Sequence, residues 1–401
     1  MNTRLSNNTS FLVSAGVVAH TLWTSAAPAM VYPIYAQKWN LTPTVTTLIF
    51  AVYPIVVVVV LTLFGDLSDH FGRRRTMAAG LAFSAMGVLL FAIAANVGTL
   101  LGGRVLMGIG VGLSAGPSTA ALLEYAGANG VSRASSATII GQATGYACAL
   151  LFGGLLTQYA PFPTRLSFFV LLILLLMLLV ATLLLPESEL VPSKTTWRPT
   201  LPKVPPDVRS TFLVASIIVM TAYTHGVTIT SLGAQIAKDL VQSTNIFTNS
   251  VVLALFPITL GATGLISKRL SGQTASIAGA VLSIIGSLFL VGAVLKHTLL
   301  LFIPATAISG AGYATMVYGG LSLITAKAPK ESRGGILSAV YLMAYLFTGV
   351  LAVILGKIAT IFGMSAAAFG VAATMFALCV VVVVLISTRH SVATASSPDN
   401  A

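Results

Sequence analysis

Residues 53–76 read YPIVVVVVLTLFGDLSDHFGRRRT, so a long apolar run is followed at once by two aspartates and three consecutive arginines. The whole chain of 401 residues contains only nine Asp and Glu residues, and two of them lie within this stretch. A helix that crosses the hydrocarbon of a membrane needs roughly 20 apolar residues, and basic residues at its end favour the cytoplasmic side. The stretch therefore predicts a membrane-spanning helix that ends in a charged cytoplasmic loop.

The composition assigns the chain to the polytopic α-helical membrane proteins. It is 56% hydrophobic and 7% charged, whereas a soluble globular protein is about 25% charged. Only helices and closed barrels satisfy their backbone in lipid, and the apolar runs here are too long for barrel strands and do not alternate. The two cysteines, Cys148 and Cys379, lie far apart in apolar segments and indicate neither a disulfide framework nor a metal site.

Hydrophobic windows predict twelve membrane spans. The N-terminal segment leads directly into a long apolar run without a small-residue cleavage site, so we expect it to be retained as the first span and not removed as a signal peptide. The predicted spans cover residues 11–36, 45–64, 77–96, 98–123, 135–158, 164–185, 210–236, 245–267, 274–294, 298–325, 335–360 and 364–387.

The net charge of +12 is explained by the topology. An even number of spans places both termini on one side, and fifteen of the 21 Lys and Arg residues fall on that side. Because basic residues are retained in the cytoplasm, we expect a multi-pass protein of the cytoplasmic (inner) membrane with both termini in the cytoplasm. No nucleic-acid partner is expected, and the predicted partners are the lipid bilayer and a small-molecule substrate of a monomeric protein.

The chain divides into two similar halves. FAVYPI (50–55) matches LALFPI (253–258), and SR (132–133) matches SR (332–333), at offsets near 200 residues. Such a repeat is typical of parallel duplicated six-helix bundles. We predict an N-terminal bundle at 1–186, a proline-rich cytoplasmic linker at 187–209, a C-terminal bundle at 210–388 and a cytoplasmic tail at 389–401.

Polarity varies among the spans with a period of three. Spans 3, 6, 9 and 12 are almost purely apolar, while the others carry polar or aromatic groups, so we expect the others to surround a central cavity. The candidate substrate and proton residues of this cavity are His20, Tyr32, Arg104, Gln142, Tyr146, His225, Tyr313 and Tyr341.

These features resemble the major facilitator superfamily of transporters. GDLSDHFGRRRT (65–76) is similar to the signature loop of that family, RVLMGIG (104–110) to its fourth-helix motif, and Glu124 with Arg133 to an acidic–basic pair. The resemblance extends over essentially the whole chain. It implies an all-α fold of twelve transmembrane helices in two pseudo-symmetric bundles, and alternating access to a site between them.

The resemblance also implies a conformational latch at the cytoplasmic end. Its residues would be Gly65, Asp69, Gly72, Arg73, Arg74, Glu124 and Arg133. The aspartate would contact the start of helix 11, where the helix dipole favours an anion. The arginines are equally explained as topology anchors, whereas topology requires neither the glycines nor the aspartate. The second half has Gly272 in place of Asp69, so only the first half keeps the full latch.

The charged and titratable residues within spans bear on the substrate. Arg104 is costly in a membrane and is expected to face a cavity or partner, although it is also able to extend to the outer interface. His20 and His225 are candidates for a coupling proton, or alternatively for hydrogen-bonded cavity residues. No Asp or Glu lies deep in a span, so a cationic substrate would lack a counter-charge.

These observations predict a secondary transporter and not an enzyme. GLSAG (112–116) matches a hydrolase nucleophile pattern, but it lies in the middle of a helix and lacks the strand–turn–helix context. We expect export of a small neutral or anionic organic compound, driven by a proton gradient and requiring no cofactor. Because span 5 has Ala149 and Leu150 where drug antiporters carry Gly-Pro, uptake or exchange of an organic acid remains the alternative. A non-transporting receptor is a further alternative that the glycine-rich motifs disfavour.

Overall fold

The computed structural model describes residues 5–127, 130–186, 204–329 and 333–395, apart from the side chains of Asp69 and of residues 389–395. Every regular element in these ranges is helical. The long helices are α1 (Asn7–Ala26), α2 (Pro43–Phe64), α3 (Arg73–Ala92), α4 (Val97–Tyr125), α5 (Gly130–Tyr159), α6 (Leu166–Leu183), α7 (Arg209–Val227, continued to Leu240), α8 (Ile246–Ser267), α9 (Gly272–Lys296), α10 (Leu299–Lys327), α11 (Arg333–Phe362) and α12 (Met364–Ala395).

The predicted all-α membrane fold is confirmed. Within the described residues, 11 helices are long and apolar enough to cross a membrane. Helix α1 has 20 residues and is more polar, yet it packs against α4 and α5 in the middle of the first six helices. Its polar side chains are therefore directed into protein, which explains why hydropathy alone scores it lower than the others.

The second six helices repeat the packing of the first six. In the first set, α1 contacts α4 and α5, α2 contacts α4, and α3 contacts α4 and α6. In the second set, α7 contacts α10 and α11, α8 contacts α10, and α9 contacts α10 and α12. Helices α2 and α8 also share an internal proline, Pro54 and Pro257.

Matching glycines and serines explain the closest of these contacts. Helix α3 carries GLAFSAMG (80–87) and α9 carries GAVLSIIG (279–286), so a serine follows the first glycine by four residues in both. A Cβ on Gly80 would lie 2.6 Å from the carbonyl oxygen of Gly110 on α4, and one on Gly286 would lie 2.8 Å from Oγ of Ser309 on α10. Only glycine permits such an approach, as in other membrane helix pairs.

The two sets of six helices meet along α2–α11 and α5–α8. We name the end of the bundle at Gly65 the inner end and the opposite end the outer end, following the predicted orientation. At the outer end Oγ1 of Thr44 lies 2.8 Å from Oγ1 of Thr360, and the backbone N–H of Ile246 donates to Oε1 of Gln158 at 2.7 Å. Both contacts join the halves, so the outer end is closed at these two seams.

The inner end differs at the α2–α3 connection. Gly65 is exposed, and the only described atoms within 4 Å of a Cβ placed there belong to Leu61 of its own chain segment. No described atom of α11 approaches it that closely. On the other seam Nζ of Lys268 donates to Oγ of Ser136 at 3.0 Å, so α5 and α8 stay joined towards the inner end.

Several boundaries differ from those predicted. The first span was expected at 11–36, but α1 ends at Ala26 and a separate short helix follows at Tyr32–Lys38. The arginines at 73–75 were expected before a span that begins at residue 77, whereas they form the first turn of α3. Gly72 precedes them with φ 87°, a conformation that favours glycine. Of the predicted linker, residues 187–203 lie outside the described part of the chain.

Replacing Gly145 by alanine is expected to destabilise the protein. A Cβ at this position would lie 1.9 Å from the carbonyl oxygen of Ala19 on α1, so α1 and α5 must separate, at a cost of about 1–3 kcal/mol. The measurement is thermal unfolding of purified variants in detergent. Gly116→Ala is the matched control, because outside the adjacent turns of its own helix no described atom lies within 4 Å of a Cβ at Gly116. Equal melting temperatures for the two variants would contradict this packing.

Candidate functional site

Arg104 is fully buried in the outer half of the first six helices. Its Nη1 donates to the carbonyl oxygen of Ser25 on α1 at 3.0 Å. The guanidinium lies 4.9 Å from the ring centre of Tyr53 and 5.8 Å from that of Phe50, both on α2. Its Nε and Nη2 have no hydrogen-bond partner among the described residues. The charge is thus held by one carbonyl and two ring faces, with the hydroxyl of Tyr32 beside it and the sulfur of Met107 3.9 Å from Nη1. Two of its donor atoms lack a close partner among the described residues.

A cluster of aromatic rings lies between the two halves near mid-depth. Tyr223 of α7 lies 5.6 Å from Tyr313 of α10 and 5.2 Å from Tyr345 of α11, measured between ring centres. Tyr313 in turn contacts Phe256 of α8 at 5.6 Å. Tyr341 lies one turn before Tyr345 on α11 and is within electrostatic range of it. We name Tyr146, Tyr223, Phe256, Tyr313, Tyr341 and Tyr345 the tyrosine cluster.

The cluster is connected to both halves. The hydroxyl of Tyr146 on α5 forms a 2.6 Å hydrogen bond with Oγ1 of Thr230 on α7, and its ring lies 5.8 Å from Phe256. On the other side, Tyr53 of α2 lies within electrostatic range of Tyr345 of α11. Tyr53 also covers Arg104, so the cationic site lies near the tyrosine cluster. Gln142 is half-buried on α5, one turn before Tyr146.

The two predicted cavity histidines occupy equivalent places within their own halves. Nε2 of His20 on α1 lies 3.4 Å from Oγ of Ser84 on α3, and Nε2 of His225 on α7 lies 2.9 Å from Oγ of Ser283 on α9. Both rings are buried. In each half, the histidine of the first helix therefore contacts the serine that lies between the two packing glycines of the third helix. The ring centre of His225 lies 6.3 Å from that of Phe256 in the tyrosine cluster.

The predicted latch residues lie at the inner end. Nη1 of Arg73 forms a 2.5 Å ion pair with Oε2 of Glu124, and Nη1 of Arg74 donates to the carbonyl oxygen of Leu185 at 3.1 Å. Arg133 instead donates to the carbonyl oxygen of Ala126 and stacks over Phe11. The side chain of Asp69 lies outside the described residues. The Arg73 and Glu124 side chains are 20% and 30% exposed, and such pairs contribute about 0.2–1 kcal/mol.

A separate cavity of about 390 Å³ opens at the outer end. It lies between the α1–α2 connection and the last turns of α7, and Tyr32, Thr47, Ser231 and Gln235 contribute polar groups to its wall. Tyr32 was predicted to share a cavity with Arg104. The structure places it at this wall, 2% exposed, with Arg104 beside it. We name this space the outer cavity.

Sequence reasoning missed several residues of the site. Tyr53, Tyr223, Phe256, Thr230 and Tyr345 were not singled out, although Tyr341 and Tyr345 have the four-residue spacing of one helix face. The shared glycine–serine pattern of α3 and α9 was also visible in the sequence. Ser25 contributes only its backbone carbonyl, so no side-chain signal was available for it.

Comparison with known proteins identifies the family. Residues 12–347 match the model of the Major Facilitator Superfamily. A curated relative, the bacillibactin exporter of Bacillus subtilis (strain 168), is 33% identical over 85 residues, which are 20% of this chain and 21% of that protein. The chain thus spans about a fifth of the length of the curated relative it matches.

Solved structures share the fold. A point mutant of the nucleoside transporter NupG superposes with a TM-score of 0.76 at 14% identity, covering 94% of this chain and 99% of that one. A POT family transporter in complex with a thioalcohol-conjugated peptide gives 0.75 at 14% identity, over 95% and 96% of the chains. A bacterial homologue of the human lysosomal transporter Spinster, in an inward-facing and unoccupied conformation, gives 0.70 at 16% identity, over 95% of each.

The hydrogen bond between Tyr146 and Thr230 is expected to couple the halves energetically. Tyr146→Phe and Thr230→Val should each lower stability, and the double variant should lose less than the sum by about 0.5–1.5 kcal/mol, because both remove one interhelical bond. Thermal or denaturant unfolding of the four proteins measures this coupling. A cycle of Tyr341→Phe with Thr230→Val serves as the control, and coupling of equal size in the two cycles would contradict the assignment.

Proposed function

The chain belongs to the Major Facilitator Superfamily and is a multi-pass membrane transporter, and we propose that it exports a small neutral or anionic organic compound in exchange for protons. The compound binds between the two halves, at the tyrosine cluster and Arg104. The site is then exposed alternately at the two ends by rocking of the halves. The protein lies in the cytoplasmic membrane with both termini in the cytoplasm.

The proposed substrate class is based on the positive charge of the site. Arg104 is buried with two donor atoms unpaired among the described residues, and it adjoins a cluster whose other polar groups are hydroxyls. The carboxylates of the described residues lie near helix ends or in connections. An anionic group can therefore pair with the guanidinium, whereas a cation would be buried next to a positive charge without a nearby carboxylate. Aromatic faces provide apolar contact for the remainder of the molecule.

The direction of transport is supported by the curated relative, which is an exporter. Coupling to protons is supported by the titratable residues that the spans contain. His20 and His225 are buried beside serines in equivalent places of the two halves, and a histidine is the side chain that changes its charge most readily near neutral pH. Protonation at either place would alter the contact between the first and third helix of its half.

Uptake or exchange of an organic acid is the second candidate function. It is favoured by the available Nε and Nη2 of Arg104, which suit a carboxylate better than a neutral compound. The two functions share the same site and differ in direction, so a transport assay with defined sides separates them.

Transport in proteoliposomes with an imposed pH gradient tests the proposed function. Benzoate, benzamide and benzylamine provide an anionic, a neutral and a cationic compound of similar shape. We expect the gradient to drive movement of the anionic or neutral compound out of the compartment that corresponds to the cytoplasm. Transport of benzylamine alone would contradict the substrate class, rates that ignore the gradient would contradict proton coupling, and movement only in the opposite direction would favour uptake.

Arg104→Gln is expected to reduce transport of an anionic compound by at least about tenfold, because a hydrogen-bonded charge partner contributes ~1.5–3 kcal/mol. Transport of a neutral compound should fall less. The matched control is Arg165→Gln, since Arg165 is exposed in the connection before α6. Initial rates in proteoliposomes, normalised to the amount of folded protein, measure both variants. Equal losses for anionic and neutral compounds would assign Arg104 a structural role only.

A further inference from the structure

The outer cavity contains polar groups that the described residues leave unsatisfied. The hydroxyl of Ser231 has no hydrogen-bond partner among the described residues. The hydroxyl of Tyr32 lies beside the guanidinium of Arg104, which donates protons but cannot accept one. These residues are 7% and 2% exposed, and both line the cavity. A buried hydroxyl without an acceptor for its proton costs roughly 1–3 kcal/mol, so two of them around one space indicate a place where a ligand supplies the missing acceptors.

The backbone that presents Ser231 is unusual. Helix α7 changes to π-helical turns at Thr228–Leu232 and again at Ile236–Leu240. Such turns are rare and occur frequently at functional sites. Here they carry Ser231 and Asp239 to the wall of the outer cavity, opposite the short helix at Tyr32–Lys38, and the short α-helical segment between the two turns carries Gln235.

The charges around the outer cavity define the ligand that it suits. At its wall Lys238 and Asp239 are exposed and opposite in sign, and Nε2 of Gln235 donates to Oδ2 of Asp239. Behind the wall, the buried Arg104 interacts electrostatically with Tyr32. The opposite charges of Lys238 and Asp239 balance each other. The remaining charge that acts on the Tyr32 hydroxyl is the positive charge of the buried Arg104.

We propose that the outer cavity is a second ligand site, which binds the carboxylate of a small monoanionic organic molecule. The carboxylate oxygens accept hydrogen bonds from the hydroxyls of Tyr32 and Ser231, and the positive charge of Arg104 stabilises them from behind. The volume of about 390 Å³ suits a small organic acid. This site is distinct from the tyrosine cluster, because its remaining wall is formed by the outer connections and by the ends of α2 and α7.

This second site does not depend on the proposed direction of transport or on its coupling ion. A carboxylate bound here contacts both the first half, through Tyr32, and the second half, through Ser231. It therefore adds a bridge across the outer end, where Thr44 and Thr360 already join the halves. Binding should accordingly be strongest in the conformation that closes the outer seams.

The test is equilibrium binding of benzoate to the full-length protein in lipid nanodiscs, with benzamide and benzylamine as matched probes. We expect saturable binding of benzoate and at least about tenfold weaker binding of the other two. Tyr32→Phe and Ser231→Ala should each weaken benzoate binding by about five- to twentyfold, because each removes one hydrogen bond to a charged group. Both substitutions preserve the shape of the side chain closely enough to keep the fold.

Ser216→Ala is the control variant. Ser216 lies on the same helix as Ser231, is 2% exposed and also lacks a partner among the described residues, but it does not line the outer cavity. Benzoate binding should be unchanged by it. Benzamide binding as tight as benzoate, absence of saturable benzoate binding, or equal effects of the Ser216 and Ser231 substitutions would each overturn the proposal. A protein that passes the binding test but does not transport would instead contradict only the proposed function.

Discussion

The burial of one guanidinium constrains much of the outer half of this molecule. A charged side chain in a membrane is costly, about 2.5 kcal/mol or more at the centre of a helix, and Arg104 has no solvent exposure to reduce that cost. Its stabilisation comes from the Ser25 carbonyl and from the faces of Phe50 and Tyr53. These contacts bind α4 to α1 and α2, so the charge fixes the relative positions of three helices while leaving two donor atoms unused.

Arg104 joins helices through its charged side chain, whereas the glycines of the bundle let the backbones of neighbouring helices approach closely because they have no side chain. In α3 and α9 the glycines at 80, 87, 279 and 286 bring each helix against its neighbour, and the intervening serine then reaches a buried histidine. Packing and polarity are thus linked at one place in each half. The same unit of two glycines, one serine and one histidine occurs in both halves.

How far the sequence predicted this arrangement depends on the physical scale of each feature. The helices and their number follow from hydropathy over windows of about 20 residues, and most predicted ends were accurate to within a few residues. The repeat was predicted from short sequence matches between the halves. The tyrosine cluster forms only because five helices are rotated about their axes so that these rings face one another. Such rotations cannot be predicted from the hydropathy of a short stretch of sequence. His20 and His225 were predicted as cavity residues because their spans are polar, and this role stays a prediction. The rotation of α1 and α7, which brings the two rings to serines of α3 and α9, could not be read from the sequence.

The two halves contribute unlike chemistry to the space between them. The first half provides the buried cation at Arg104, while the second half provides most of the aromatic rings, including Tyr223, Tyr313 and Tyr345. A molecule with an anionic end and an apolar body would therefore bind in one orientation, with its charge towards the first half. In the proposed cycle the halves rock relative to each other, which would also change the distance between the groups that hold the two ends. Such a molecule would then bind tightly only when that distance matches its length, and the substrate would select one conformation over the other.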